Sequence, residues 1–305
     1  MSLAMERRGF LVPLDDTRVH VSESGHGAPM IVLHGGLGMD HAVFGDYLEP
    51  LANSVRLLYV DMRGHGRSDP VPEETLNIKR LARDVEILRD ALGLSRPVVF
   101  GHSLGAVVAL QHAADYPGRV SGTIICSGLA SQRHLLHVTR SLEDFVPVIM
   151  RERLKAALEM ERDVETVTEM AALVREQIPF MFADPHDARI AEYVRHTGTT
   201  RYNPSIMRHF ARGNHGFTGV DTRLKSVTRP VLVLAGRHDR ICSVEAANEI
   251  ALGVEHGELV IFEQSGHMPF VEETGRFLKV ILEFLSRHRA CPGEQSEKET
   301  FQDEG

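Results

Sequence analysis

The chain has 305 residues, 43% hydrophobic and 25% charged, with a formal net charge of −8. That size and composition suit a globular α/β protein with a large core, and the acidic balance disfavours a nucleic-acid partner, whose phosphates attract basic surfaces. Three widely spaced cysteines, Cys126, Cys242 and Cys291, form neither a disulfide framework nor a zinc pattern, which suits a reducing cytoplasm.

The first ten residues, M-S-L-A-M-E-R-R-G-F, have no apolar h-region, so no secretory signal is expected and the location expected is cytoplasmic. No run approaches the ~20 apolar residues of a transmembrane helix, so no membrane partner is expected. Residues 11–13 and 17–22 alternate like antiparallel strands around an Asp-Asp turn. Residues 30–33 read as a buried strand ending in H-G-G-L-G, and 55–60 as another ending in D-M-R-G-H-G-R-S-D. Residues 78–92 carry Ile78, Leu81, Val85, Leu88 and Leu92 at helical spacing. Residues 97–100 predict a strand, 104–116 a helix closed by Pro117-Gly118, and 120–126 a strand. From 131 to 228 no strand is evident, and Val164, Val167, Met170, Val174 and Ile178 recur every three or four residues. Strand and helix alternate again at 231–235, 244–253, 258–262 and 276–287. The whole predicts a mainly parallel sheet covered on both faces, with a helical unit inserted at 131–228. The core would then be 4–130 and 229–288, and the polar segment 289–305 a loose tail.

One junction carries the chemistry. Residues 97–110 read P-V-V-F-G-H-S-L-G-A-V-V-A-L. A buried strand becomes a buried helix across Gly101-His102-Ser103-Leu104-Gly105, and a hydroxyl stands at the turn. Open parallel sheets carry their sites at the carboxyl ends of strands, and a G-x-S-x-G turn lifts a serine oxygen above the sheet. A serine alone is a weak nucleophile and needs a base oriented by a third group. Two later strand ends offer them: Asp239 in G-R-H-D and His267 in S-G-H, in the chain order that accompanies this elbow. The N–H of Leu104 is one candidate oxyanion donor, and Gly36 is the other, with Leu37 as its alternative. Ser103 and Asp239 as ordinary helix caps, and His267 as a surface histidine, are the competing structural roles.

These segments resemble the α/β-hydrolase family. The resemblance spans residues 8–288 and rests on H-G-G-L-G (34–38), D-M-R-G-H-G-R-S-D (61–69), G-H-S-L-G (101–105), G-R-H-D (236–239) and S-G-H-M-P-F-V-E-E (265–273). It implies an eight-stranded sheet with a helical cap inserted after strand six. It also implies a capped serine hydrolase of esterase or proline-iminopeptidase type. Epoxide hydrolases and haloalkane dehalogenases carry aspartate at the elbow, where this chain has Ser103. Carbon–carbon bond hydrolases usually have Asn-Ser there, where this chain has His102-Ser103. Haloperoxidases of this family often hold tryptophan near the site, and this chain has none. Proline iminopeptidases typically read G-G-S-[WY]-G and H-G-G-P-G, from which His102, Leu104 and Leu37 depart.

The expected activity is therefore cleavage of a small acyl substrate, an ester or lactone, through an acyl-enzyme and without a cofactor. A peptide amide is the second reading, and a non-catalytic ligand receptor on the same fold the third. A monomer or homodimer is expected. His34, His102, Tyr202 and Met268 are candidate pocket residues, with structural hydrogen bonding the alternative for both histidines. Tyr193, Phe180, Phe210 and the methionines 150, 160, 170, 181 and 207 stand between pocket and core packing. Arg63 and Asp69 are read as holding their own loop together, and Cys242 as inert packing near the site. Despite seventeen histidines there is no H-E-x-x-H pattern, so no metal is expected, and no nucleotide-binding glycine motif is present.

Overall fold

A computed structural model describes residues 7–213 and 219–288. Eight strands form one sheet: β1 (Arg8–Pro13), β2 (Arg18–Gly25), β3 (Pro29–Leu33), β4 (Arg56–Asp61), β5 (Val98–His102), β6 (Gly122–Cys126), β7 (Val231–Gly236) and β8 (Gly257–Phe262). Their spatial order is β1-β2-β4-β3-β5-β6-β7-β8. The first hairpin runs antiparallel, β2 meets β4 antiparallel, and every other pairing is parallel.

The uninterrupted apolar runs follow from burial on both faces. Successive side chains point to opposite sides of a strand. Ile31, Leu33, Val99, Ile125 and Val233 thus enter one core, and Met30, Val32, Val98, Phe100, Ile124 and Leu232 the other. Helices α1 (Ile78–Ala91) and α2 (Leu104–Asp115) contribute to the first core.

Between β6 and β7 the described residues form no strand. They form α3 (Leu136–Glu143), α4 (Val148–Met160), α5 (Val167–Met181), α6 (Arg189–His196) and α7 (Pro204–Ala211). Thr166 and Glu169 close a reciprocal capping box at the start of α5, which leaves Val164 outside the helix that its spacing suggested. After β7 come α8 (Val244–Gly253), a single turn α9 (Pro269–Glu272) and α10 (Thr274–His288). Among the described residues no helix is long and apolar enough to cross a membrane. The expected tail at 289–305, with Cys291, lies outside the described residues.

Arg63 and Asp69 reach beyond their own loop. Arg63 is 1% exposed and grips Asp84 of α1 and Asp16 of the β1–β2 turn, each at 2.6 Å. Asp69 pairs with Arg18 of β2 at 2.7 Å. A buried guanidinium must be paired, and this one ties three elements together.

Candidate active site

Ser103 sits at the β5–α2 junction with φ 53° and ψ −116°, a conformation that few non-glycine residues adopt. The two glycines beside it are explained by contact. A Cβ at Gly101 would lie 2.1 Å from the Gly105 carbonyl oxygen, and one at Gly105 would lie 2.3 Å from that of Leu33. Strand and helix approach too closely for any side chain at either position. Ser103 makes no side-chain cap bond to its helix, contrary to the capping alternative. Its side chain faces a cavity instead.

His267, in the turn between β8 and α9, faces the same cavity. Its Nδ1 lies 2.9 Å from Oδ2 of Asp239, which follows β7. The other Asp239 oxygen accepts the N–H groups of Ile241 (2.8 Å) and Cys242 (2.9 Å). Burial alone would raise the Asp239 carboxyl, but the His267 contact and these backbone donors outweigh it and hold the group below its ordinary range. The backbone of His267 is fixed as well. Its N–H donates to the Met181 carbonyl at 2.6 Å, while its own carbonyl accepts from His102 Nε2 (3.0 Å) and Ser127 Oγ (3.1 Å).

That bond assigns the proton of His102 to Nε2 and leaves Nδ1 buried without a partner among the described residues. Burial, reinforced by the neighbouring His267, pushes His102 down to about 3, so it stays neutral. His102 lines the cavity while holding the His267 backbone. His34 does not line it, which corrects the pocket assignment. It is wholly buried, accepts the Met62 N–H at Nε2 (3.2 Å), and its Nδ1–H donates to the Gly35 carbonyl (3.0 Å). It therefore shapes the loop that presents Gly36, and burial pushes it down to about 4.

Gly36, Leu37 and Leu104 all border the cavity beside Ser103. Among the described residues, no acceptor takes the N–H of Gly36 or Leu104, so both donors remain available. The cavity encloses about 290 Å³ between the sheet's carboxyl edge and the inserted helices. Tyr202 and Met268 line it, with Tyr193, Phe180, Met181 and Met207, whereas Phe210 belongs to the core and Met160 is exposed. Cys242 lies three residues past Asp239. It lines the cavity, and its sulfur lies within 4.8 Å of the ligating atoms of Asp239 and His267. The lining also includes Glu161 and Gln177, which no motif marks.

The inserted helices are bonded to these loops. Glu272 accepts the N–H groups of Ala183, just past α5, and of Gly266, just before His267 (2.7 and 2.8 Å). Burial pushes its carboxyl up to about 7. Arg240, next to Asp239, donates to the carbonyls of Phe180, Phe182 and Ala183. A second group of metal-type donors, His20, His41 and Asp61, lies apart from Ser103 in chain position. Asp61 already accepts from His41 N–H (3.0 Å), His41 Nδ1 (2.5 Å) and Arg67 N–H (2.9 Å), and the Arg67 guanidinium stands beside it.

A sheet of this order, a serine elbow at its centre and a paired aspartate and histidine at two later strand ends define the class. Residues 28–274 match the α/β-hydrolase fold family, and the chain belongs to that family and is a hydrolase. It is similar to a 2-hydroxy-6-oxononadienedioate/2-hydroxy-6-oxononatrienedioate hydrolase of Dechloromonas aromatica, 27% identical over 276 residues (89% of this chain, 91% of that one). It is similar also to a proline iminopeptidase of Saccharolobus solfataricus, 28% identical over 274 residues (85% and 84%). An α/β fold family hydrolase from Bacillus anthracis superposes with a TM-score of 0.76 over 92% of this chain and 99% of that one, at 22% identity.

Proposed function

We propose that this hydrolase cleaves small, largely apolar carboxylic esters or lactones through Ser103, His267 and Asp239. The observation that carries the proposal is that a strained, uncapped Ser103 and the hydrogen-bonded His267–Asp239 pair border one cavity. Ser103 Oγ attacks the substrate carbonyl carbon while His267 Nε2 takes its proton. Asp239 fixes the proton of His267 on Nδ1 and stabilises the imidazolium. The N–H groups of Gly36 and Leu104 receive the oxyanion. The intermediate then collapses: the bond to the leaving alkoxide breaks, the imidazolium protonates it, and an acyl-serine remains. Water, deprotonated by the same histidine, attacks the ester carbon and releases the acid and the free serine.

The lining favours this substrate over a dioate such as the Dechloromonas relative is named for. No Arg or Lys occurs among the described residues that border the cavity, so two carboxylates would enter unpaired. Amide cleavage is the second reading, supported by the likeness to a proline iminopeptidase. Initial rates on a short-chain nitrophenyl ester and a proline nitroanilide, with wild type and Ser103→Ala side by side, separate the two. Ester cleavage is expected to exceed anilide cleavage and to fall by roughly 10⁴-fold or more in Ser103→Ala. Efficient anilide cleavage would reverse the substrate order, and equal rates in the two proteins would end the serine mechanism.

A further inference from the structure

Glu161 is the one Asp or Glu side chain among the described residues that line the cavity. It follows the last residue of α4, and Gln177 on α5 donates to its Oε1 at 2.8 Å. Among the described residues it has no ion pair and no other side-chain donor. Three features make it expensive where it stands. The surrounding lining is apolar, and burial raises its carboxyl despite the Gln177 bond. It lies at the carboxyl end of a helix, where the dipole repels an anion. Among the described residues no cation pairs with it. A lone carboxyl of this kind, half-buried on the cavity wall, has acceptor capacity left for whatever fills the cavity.

We infer that Glu161, supported by Gln177, binds a hydrogen-bond donor carried on the substrate away from the scissile carbonyl, a hydroxyl or an ammonium group. This rests on the serine-hydrolase proposal above. Ser103 and Glu161 both border the cavity but come from different parts of the chain. Ser103 stands on the β5–α2 elbow, and Glu161 and Gln177 belong to the inserted helices. A substrate spanning from one to the other would present its carbonyl to the sheet edge and its donor to the insertion. The preferred substrate is then an apolar acyl chain with a polar far end, rather than a plain alkanoate.

The test uses nitrophenyl esters of hexanoate, 6-hydroxyhexanoate and 6-aminohexanoate, with the octanoate series alongside, on wild type, Glu161→Leu and Glu161→Gln. The quantity read is the kcat/KM ratio of donor-bearing to plain ester, which is independent of how much protein is active. For at least one donor that ratio is expected to be roughly 10- to 100-fold higher in wild type than in Glu161→Leu, the range of a hydrogen bond to a charged group. Gain with the hydroxyl series alone identifies a neutral donor. Gain with the amino series that is lost in Glu161→Gln identifies an ammonium. Ratios within about twofold of each other in wild type and Glu161→Leu, for both donors and lengths, overturn the inference while plain-ester cleavage keeps the serine mechanism. Calorimetry of 6-hydroxyhexanamide and 6-aminohexanamide with Ser103→Ala and with Ser103→Ala/Glu161→Leu reads the same contact without turnover. Equal affinities there overturn the inference even if no ester is cleaved.

Discussion

Asp239→Asn is expected to lower ester kcat by about 10⁴ while leaving the fold intact. The aspartate uses its two oxygens differently. Oδ1 accepts two backbone N–H groups, and Oδ2 accepts from His267 Nδ1. An asparagine can keep its carbonyl on the N–H pair, because Ile241 and Cys242 demand an acceptor. Its NH₂ then faces His267 Nδ1 and forces that nitrogen to accept. The imidazole proton moves to Nε2, where a base for Ser103 must be bare. Steady-state rates with a matched unfolding curve test this. Near wild-type turnover would remove Asp239 from the machinery, and loss of folding would assign it a structural role instead.

Acid is expected to destabilise the protein well before its surface carboxylates titrate. Burial pushes His34 to about 4, and His65 and His102 to about 3. In the unfolded chain all three return to near 6.5. Below that pH the unfolded state binds protons that the fold refuses, so stability falls as pH falls, by about 1.4 kcal/mol per unit for each histidine. Glu272 acts in the opposite sense. Its carboxyl rises to about 7, so between about 4.5 and 7 the fold holds a proton that the unfolded chain releases. It offsets one of the three. Two remain in effect, for a loss of about 3 kcal/mol between pH 6.5 and 5, a large share of a typical folding free energy. Urea unfolding at pH 7.5, 6.5, 5.5 and 5 measures it directly. A flat profile across that range would mean these imidazoles are hydrated or paired in ways that the structure does not contain.

Most of the sheet was legible because a strand buried on both faces leaves an unbroken apolar run, as at β3 and β7. The elbow was legible for a different reason. Gly101 and Gly105 mark a backbone approach that forbids any Cβ, and that constraint shows in the sequence as two small residues flanking a hydroxyl. Strand ends were less exact. β5 continues through Gly101 and His102 because both still pair with β6, although neither is a β-branched residue. The single turn of α9 gave no usable period. The cavity was the least legible part. Met39 and Val43 reach it from the turn after the H-G-G-L-G loop, and Glu161 and Gln177 from two separate helices. Their meeting depends on how the inserted helices pack, and no spacing in the chain records it. His34 shows the converse: a histidine in a functional motif whose two nitrogens are spent on backbone groups.

The most direct measurement is covalent labelling of the folded wild-type protein with a serine-directed phosphonate, read by intact mass and peptide mapping. One adduct per chain, located on Ser103 and absent from Ser103→Ala, is the expected result. It would mean that the hydroxyl is activated in place by its neighbours. A folded protein that takes no label at Ser103 would contradict the serine mechanism and favour a ligand-binding role for the same cavity.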